Sequence, residues 1–524
     1  MLKLLNKIKD FFAGKPYLGY IFVAIMGLGF FGWIQATDTF MDPDSFYHAK
    51  IAAMIANNGI VHNFPWTAYT VLPQIYTDHH FLYHLLLVPF VWKINPLVGI
   101  KAATVAINTF LALFFYIFLR KNSVRWPLLY VFLLLSNTPF IFRINLPKAS
   151  GLSLIFIIFI LLAIFKKKYI WLLALNFFYV WAYGGWPLGI FFAAAYCLAS
   201  FAARKIVAEG QNGIEWKPLA VSLAGSIAGL MINPYFPNNL KFYWIQTVQI
   251  ALVNYQSKIG VGAEWYGFNI TELISYSGGA FLVLGAAMTL FFGNIAVRKM
   301  AGVSYGAVKD VFFFLICAGA FFVLTIKSCR NSEYFYPFVL LLAAFIAKHF
   351  YNREAVAWIR TNLLGIIKLK FLYKIFLGYI TLMLFAGFWF NFWKIKRGFE
   401  GGFNFSKYQE AMAAARKNSM PGDIIFHSDW DDWPMLFYHN DYNRYIVGLD
   451  TTFMYKFSKD LYKKWRDITW GDFVGDPYKI IKDDFGAKIV FIAKTDVGIM
   501  DKYFRGDGRY ELVYDGDGRV YKIR

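Results

Sequence analysis

Long apolar runs joined by short connections dominate this chain and restrict what it can fold into. An apolar helix of about 20 residues crosses the hydrocarbon core of a bilayer. Because 58% of the residues are hydrophobic and only 16% are charged, an ordinary water-soluble protein is excluded. The sequence predicts a polytopic α-helical membrane protein with about 11 transmembrane helices, and up to about 13. The runs lie near 17–36, 97–119, 126–142, 151–165, 169–182, 187–203, 217–232, 278–294, 309–326, 333–349 and 372–392.

The placement of basic residues predicts the orientation of these helices. Lysine and arginine cluster at the N-terminus, in the connections "RKNSVR", "KKK", "ARK" and "VRK", and in 348–370. Cytoplasmic loops of membrane proteins carry such an excess of basic residues. The N-terminus is therefore expected in the cytoplasm, and the external loops 37–96 and 233–277 on the outside. The net charge of +21 follows from topology, and nucleic acid is not an expected partner.

The composition changes to that of a soluble protein after the last apolar run. The stretch "YQEAMAAARKNSMPGDIIFHSDWDDW" predicts a helix, a Pro-Gly stop and a strand, and "DPYKIIKDDFGAKIVFIAKTD" repeats that order. The stretch "YELVYDGDGRVYKI" predicts a terminal hairpin. We expect a transmembrane domain, 1–393, and an external soluble α/β domain, 394–524.

Acids, histidines and basic residues recur in the loops that are predicted to face outward. Carboxylates and histidines can hold a divalent cation or act as a general base, whereas arginine and lysine bind phosphate. Together they predict a site for a negatively charged lipid headgroup and a nucleophile. Simpler roles stay open, because lysine and arginine at helix ends extend to the membrane surface and Asp42 can form a turn with Pro43. The residues concerned are Asp42, Asp44, Asp78, His79, His80, Arg143, Lys148, Glu264, Lys327 and Arg330.

Several short stretches carry a resemblance to a known family. They are "DSFYH" (44–48), "WAYGGWP" (181–187), "GVGAEW" (260–265), "CRNSEYFYP" (329–337) and "ARKNSMPGDIIFHSDWDDW" (415–433). In this order the chain resembles the catalytic subunit of oligosaccharyltransferase, of archaeal or bacterial type, within the GT-C class of polytopic glycosyltransferases. The resemblance extends over nearly the whole length and implies a GT-C fold.

The resemblance also implies roles for individual residues. Asp44 and Glu264 are expected to be catalytic, and Arg330 to bind the donor phosphate. Trp430, Asp431, Tyr47 and His48 lie in the matching stretches and are expected to bind the acceptor. Apart from the resemblance, charge and outward position make Lys148, Arg143 and Lys327 further candidates for the donor phosphate, and His79 and His80 join Asp44 as candidate ligands of a divalent cation such as Mn²⁺ or Mg²⁺.

Two departures from the family pattern leave parts of this assignment open. The turn "RINLPKAS" has no acid where the family has a second acidic motif, and it contains Lys148 instead. Either a histidine completes the metal site, or the enzyme works without metal and Lys148 neutralises the phosphate. The Trp-Trp-Asp-Tyr-Gly run of the family, which reads the hydroxyl of an Asn-x-Ser/Thr acceptor, is Asp429-Trp430-Asp431-Asp432-Trp433 here.

The predicted function is transfer of a sugar or glycan from a polyprenyl-phosphate or polyprenyl-pyrophosphate donor to an acceptor outside the membrane. The alternative within this class is transfer of a single sugar from a polyprenyl monophosphate to a glycan, lipid or protein. A transporter of lipid-linked sugars would place ionisable residues at mid-membrane and show inverted repeats. A non-catalytic scaffold would leave Asp44, Glu264 and Arg330 unexplained. With one compact subunit and no eukaryotic retention signal, a prokaryotic inner membrane is expected.

Overall fold

A computed structural model describes residues 15–207, 215–298, 303–362, 389–390 and 392–524 of the 524-residue chain. Most of the predicted run 372–392 lies outside the described residues, which include only its positions 389, 390 and 392. The other ten predicted runs can be compared with the helices of the structure.

Helices make up the N-terminal three quarters of the described chain. They are α1 (Pro16–Gln35), α2 (Asp44–Asn58), α3 (Leu72–Ile75), α4 (Phe81–Val91), α5 (Pro96–Lys121), α6 (Pro127–Leu135), α7 (Thr138–Asn145), α8 (Ser150–Phe165), α9 (Tyr169–Ala182), α10 (Pro187–Val207), α11 (Lys217–Met231), α12 (Asn238–Tyr243), α13 (Ile270–Arg298), α14 (Tyr305–Lys327), α15 (Ser332–Phe350) and α16 (Arg353–Asn362). A π-helix (Trp244–Val253) and two 3₁₀ turns (Ala263–Trp265 and Cys329–Asn331) lie between them, and residues 392–400 are also helical.

Among the described residues, six helices are long and apolar enough to cross a membrane. The pair α6 and α7 is bent by 74° and counts as a seventh span if its halves are taken together. Four shorter apolar helices, α4, α8, α9 and α11, complete the set. The ten predicted runs that fall in the described chain each coincide with one of these elements. The protein is an integral, multi-pass membrane protein, as its sequence predicts.

The bend between α6 and α7 places a functional residue. Asn137 interrupts the helix, and its side-chain oxygen accepts a hydrogen bond from the backbone N–H of Phe140 at 3.1 Å, which caps α7. The following turn and a half carries Arg143 into the interior of the protein, where it is buried. A straight helix over 126–142 would point this guanidinium elsewhere.

The C-terminal part is an α/β domain, as predicted. Its strands are β3 (Ile424–His427), β4 (Arg444–Tyr445), β5 (Ala487–Ala493), β6 (Tyr510–Asp515) and β7 (Gly518–Ile523). They form one sheet in the order β4-β3-β5-β7-β6, in which β3 is parallel to β4 and β5 and the other pairs are antiparallel. The predicted terminal hairpin is β6–β7. The helices are α17 (Gln409–Lys417), α18 (Trp433–His439), α19 (Thr451–Phe457), α20 (Lys459–Thr469) and α21 (Val497–Met500), with a π-turn at Ile480–Asp484 and a 3₁₀ turn at Asp501–Tyr503.

The segment 37–96 is not a plain loop, in contrast to its description as one from the sequence. It contains α2, α3 and the apolar helix α4, and its backbone pairs with that of the α/β domain. Strand β1 (Thr39–Phe40) pairs with β2 (Phe403–Asn404). The backbone N–H of Tyr445 donates to the carbonyl of Trp66 at 3.0 Å, which extends the sheet at its β4 edge. The helical stretch 392–400 crosses the predicted domain boundary at 393 without a break between 392 and 400.

Candidate active site

A cavity of about 100 Å³ lies where the outward loops meet the α/β domain. The predicted external loops 37–96 and 233–277 contribute to its wall, as do the stretches 142–150 and 327–337, which carry Arg143, Lys148 and Arg330. Nine of the proposed site residues line it: Asp44, Tyr47, His48, His79, His80, Arg143, Lys148, Glu264 and Arg330. Residues more than 280 positions apart in the chain therefore share one site.

An ammonium group holds two carboxylates at one side of the cavity. Lys148 Nζ lies 2.8 Å from Asp42 Oδ2 and 2.8 Å from Asp44 Oδ2. Asp44 is the first residue of α2, where the positive end of the helix dipole favours a carboxylate, and its side chain is 34% exposed. Asp42 Oδ1 also accepts the backbone N–H of Asp44 at 2.9 Å. Asp42 thus forms the expected turn and also pairs with Lys148.

The pKa values of this group follow from its burial and charge. Burial, and then the neighbouring charge of Asp44, raises the pKa of Asp42 to about 6, although Lys148 acts in the opposite direction. Burial disfavours the charged form of Lys148, but the carboxylates of Asp42 and Asp44 outweigh it, so the pKa of Lys148 is raised. Lys148 is a cation at neutral pH.

Two guanidinium groups share one carboxylate at the opposite side. Glu264 accepts from Arg143 Nη1 at 2.5 Å and from Arg330 Nη1 at 2.8 Å. Burial acts to raise the pKa of Glu264, but the charges of Arg330 and Arg143 dominate and hold it well below its usual value. Arg143 also contacts the buried Glu333 at 3.2 Å, and Arg330 donates to the Tyr183 hydroxyl at 3.2 Å. Glu264 is therefore an anion between two cations.

The loop that carries Glu264 is fixed to the end of α14. The Ser328 hydroxyl donates to the carbonyl of Glu264 at 2.7 Å, and the backbone N–H of Cys329 donates to the carbonyl of Tyr266 at 2.8 Å. Gly267 packs against the Ile326 carbonyl so closely that a Cβ there would lie 1.7 Å from the oxygen. Glycine is required at 267 for this close approach.

The histidines form a buried group beside Asp44. His48, one turn after Asp44 on α2, is hydrogen-bonded through Nδ1 to His84 Nε2 at 2.8 Å, and His84 Nδ1 to Asp78 Oδ2 at 2.7 Å. Burial lowers the pKa of His79 to about 4, so this imidazole is neutral at pH 7. The rings of His79 and His80 lie 3.9 Å apart between centroids.

The candidate metal ligands are not arranged as a set. Asp44 faces Lys148, and in the part of the chain that the structure describes no three side chains of His, Cys, Asp or Glu form a group that could hold a metal ion. The residues as they stand do not fit a bound Mn²⁺ or Mg²⁺. A metal requirement remains a prediction from the family resemblance.

Three proposed site residues lie elsewhere. Lys327 is outside the cavity, and its exposed ammonium group donates to the carbonyl of Leu252 at 2.5 Å. Trp430 lines a separate cavity in the α/β domain. Asp431 is an exposed residue that does not line the first cavity; partial burial of its carboxyl group, and then the charges of Asp44 and Asp42, raise its pKa.

Some site residues were not singled out from the sequence. Glu333 follows Arg330 by three positions and anchors Arg143, and Asp450 lines the cavity while its side chain accepts from the backbone N–H of Thr452 at 2.7 Å. Burial, and then the charges of Glu264 and Asp44, raises the pKa of Asp450 to about 6 although its hydrogen bonds act against this. The acid before "TT" marks a helix N-cap. His84 is a polar residue within the apolar helix α4, and a polar residue in such a position indicates a buried hydrogen-bond partner, here His48 and Asp78.

The chain was compared with known protein families, sequences and solved structures. No family model matches the chain, and no curated protein matches it in sequence. Solved structures of ArnT from Cupriavidus metallidurans do match. The apo structure has a TM-score of 0.52 at 12% identity, covering 97% of this chain and 98% of the other. The structure bound to undecaprenyl phosphate has a TM-score of 0.55 at 14% identity, covering 96% and 97%.

The chain shares the fold of these ArnT structures. The predicted polytopic helical architecture with a C-terminal soluble domain is confirmed. The matches cover nearly the full length of both chains, and they therefore include the α/β domain as well as the helices.

Proposed function

We propose that the protein is a membrane glycosyltransferase that transfers sugar from a polyprenyl-phosphate-linked donor to an acceptor. The observation that supports this is the cavity itself, whose wall holds the carboxylate of Asp44 together with three cations, Lys148, Arg143 and Arg330. Transfer from a sugar phosphate requires cations that stabilise the leaving phosphate and a base that accepts the proton of the acceptor hydroxyl. The GT-C fold and the neighbour that is bound to undecaprenyl phosphate support the same class.

The donor phosphate would take the place that Glu264 occupies between the two arginines. A phosphate offers several acceptor oxygens to guanidinium groups, as a carboxylate offers two. The backbone of this loop is fixed to α14, so a rotation of the Glu264 side chain would free the position between the arginines while Arg143 stays anchored to Glu333. The polyprenyl tail would lie in the bilayer among the apolar helices.

The reaction is a displacement at the anomeric carbon. Asp44 accepts the proton of the acceptor hydroxyl as that oxygen forms its bond to the anomeric carbon. The bond from the anomeric carbon to the phosphate oxygen breaks, and the electron pair leaves with polyprenyl phosphate. Lys148, Arg143 and Arg330 stabilise the charge that develops on this leaving group. Inversion at the anomeric carbon is implied by the family resemblance.

Two donors remain in this class. An oligosaccharyltransferase would use a pyrophosphate-linked glycan and a protein acceptor. A monosaccharide transferase would use a monophosphate donor and a glycan, lipid or protein acceptor. We favour the second, because Lys148 stands where the family has a second acidic motif and supplies a fixed cation beside Asp42 and Asp44. A single phosphate then meets a site that needs no additional metal charge.

The test is turnover of polyprenyl-linked sugars by the purified protein in nanodiscs. Wild type, Asp44→Asn and Asp460→Asn are given a panel of mono- and pyrophosphate donors, with Mn²⁺ or with EDTA, and the free polyprenyl phosphate or pyrophosphate is measured. Asp460 is an exposed carboxylate of α20 and serves as the control. We expect Asp44→Asn to lower release at least about 1,000-fold, Asp460→Asn to behave as wild type, and EDTA to have no effect.

Other outcomes would redirect the proposal. Release that EDTA abolishes and Mn²⁺ restores would contradict metal-free catalysis and return the histidines to consideration as ligands. Donor binding without turnover, unaffected by Asp44→Asn, would favour a transporter. Turnover only with a pyrophosphate donor and an Asn-x-Ser/Thr peptide would establish the oligosaccharyltransferase.

The orientation belongs to the same proposal. We place the cavity and the domain 394–524 outside a prokaryotic inner membrane, with the N-terminus in the cytoplasm. The reason is that lysine and arginine are concentrated in every second connection between the apolar runs, and cytoplasmic loops carry such an excess. Labelling of a cysteine introduced at exposed Val474 by a membrane-impermeant maleimide in intact spheroplasts tests this. Labelling only after lysis would contradict it.

A further inference from the structure

A second cavity, of about 340 Å³, lies in the α/β domain next to the first. Its wall is aromatic and acidic: the side chains that define its chemistry are Trp430, Tyr462, Trp465, Trp470, Asp429 and Asp496. Hydroxyl groups of serine and threonine complete the wall, and no lysine or arginine is among the described residues that line it. This cavity does not take part in the phosphate chemistry described above.

The aromatic wall is held in place by the domain. The indole N–H of Trp465 donates to the carbonyl of His427 at 3.1 Å. The Tyr462 hydroxyl accepts the backbone N–H of Gly260 at 3.1 Å. Trp470 is 55% exposed, and the guanidinium of Arg466 lies 5.4 Å from the centre of its ring. Trp470 thus offers an accessible ring at the edge of a preformed cavity.

The composition of the wall defines the ligand that it fits. Two carboxylates without a lining cation repel phosphates and carboxylates. Flat aromatic rings bury apolar surface, and carboxylates and hydroxyls accept or donate hydrogen bonds. A sugar ring matches both features of the wall, because its apolar C–H face can pack on an aromatic ring and its hydroxyl groups can hydrogen-bond to the carboxylates and hydroxyls.

The two cavities share a wall. The loop 260–265 has Gly260 on the second cavity and Glu264 and Trp265 on the first. Next to it, Asp450 lines the first cavity and Thr451 the second, and the Thr451 hydroxyl donates to the Gly260 carbonyl at 2.6 Å. A ligand that fills the second cavity therefore lies one loop away from Asp44.

We propose that the second cavity binds an uncharged sugar ring of a glycan and holds that glycan beside the first cavity. Its role in transfer rests on the proposed function, but the binding itself does not. Two sources offer the same chemistry: a glycan acceptor, or sugars of the donor beyond the one that is transferred.

The test measures sugar binding directly, without turnover. Saturation-transfer NMR is recorded with methyl glycosides of glucose, galactose, mannose and N-acetylglucosamine, on the full-length protein in nanodiscs. The proteins are wild type, Trp470→Ala, Asp496→Asn, Asp44→Asn and the control Trp171→Ala, whose side chain is 68% exposed on α9. Because Trp470 is half exposed, its replacement does not open the core, and a thermal melting curve verifies the fold.

We expect at least one glycoside to bind wild type, Asp44→Asn and Trp171→Ala equally, and Trp470→Ala and Asp496→Asn about tenfold more weakly. Binding to Asp44→Asn separates this proposal from the proposed function, because it would persist even if the protein transferred no sugar. No binding by wild type, binding unchanged in both variants, or binding of an Asn-x-Ser/Thr peptide that Trp470→Ala removes would each overturn it.

Kinetics with an active donor distinguish the two sources. A higher KM for a glycan acceptor in Trp470→Ala, at unchanged KM for a single-sugar donor, identifies the acceptor glycan. A higher KM only for donors with several sugars identifies the outer sugars of the donor.

Discussion

The two cavities at the junction of the helices and the α/β domain share one loop but have opposite chemistry. The first brings three cations from the helical part against carboxylates, and nearly every charge in it has a partner of the opposite sign. The second takes most of its wall from the α/β domain and lines it with indoles and two carboxylates. The helical part thus provides groups that handle phosphate, whereas the soluble domain provides surface that suits a neutral, polyhydroxylated ligand.

This difference shows why charges are buried in one cavity and not in the other. A buried charge without a partner costs several kcal/mol, so Arg143, Lys148 and Arg330 are accompanied by Glu264, Glu333 and two aspartates. A ligand phosphate can replace one of these carboxylates without leaving a cation unpaired. Among the described residues that line the second cavity, there are no such pairs to exchange.

After the loss expected for Asp44→Asn, the largest effect is expected where a cation of the first cavity is removed. Arg330→Gln should lower kcat/KM for a polyprenyl-phosphate sugar about 100-fold, because a charged hydrogen bond to phosphate is lost. The matched control is Lys327→Gln, which removes an equal charge three positions earlier but outside the cavity. It should cost less than about threefold. An equal loss in both variants, measured as initial rates, would restore Lys327 as a phosphate ligand.

A smaller effect, of opposite sign, is expected at Glu264. If its carboxylate occupies the phosphate position, Glu264→Gln should bind undecaprenyl phosphate about tenfold more tightly, since a competing anion has been removed. Affinity is measured by calorimetry in nanodiscs, with Glu272→Gln, an exposed carboxylate on α13, as the control. Weaker binding in Glu264→Gln would show that this group supports the donor instead of excluding it.

The smallest effect concerns pH. Burial and then the charge of Asp44 raise the pKa of Asp42 to about 6 in the folded protein, above its usual 3.8. The folded state therefore binds this proton more tightly than the unfolded state, and the stabilisation is lost as pH rises from about 4 through 6. We expect the melting temperature of wild type to fall more steeply over this range than that of Asp42→Asn, with Asp460→Asn following wild type. Parallel curves for all three would contradict the raised pKa.

The helices of the bundle were predictable because their cause is local. A run such as 97–119 is apolar over the length of a bilayer, and the structure has α5 there. Helix α4 was missed because its apolar stretch is short, and a short run between polar segments is not distinguished from a loop by hydropathy. The helix–strand order of the α/β domain followed from alternating apolar positions and the Pro-Gly stop. The addition of 66–68 to the edge of its sheet did not, since that pairing joins residues almost 380 positions apart.

The candidate site was predictable in most of its members but not in its pairing. Asp44, Lys148, Glu264 and Arg330 are polar residues in predicted outward loops, and membrane topology brings such loops to one side of the bilayer. Topology does not determine which partner each charge meets. The sequence suggested that Asp44 meets histidines and metal, whereas in the structure it meets Lys148.

The sequence alone determined the class of protein, the order of the ten apolar runs that the structure describes as helices, and the loops on which the polar groups lie. These follow from the hydrophobicity and charge of each segment, which are local properties of the sequence. Only the tertiary structure decided that Glu264 lies between two arginines, that Lys327 lies apart, and that a second cavity of indoles adjoins the first. These features depend on distances between segments far apart in the chain, and such distances are fixed by how the helices and the sheet pack together.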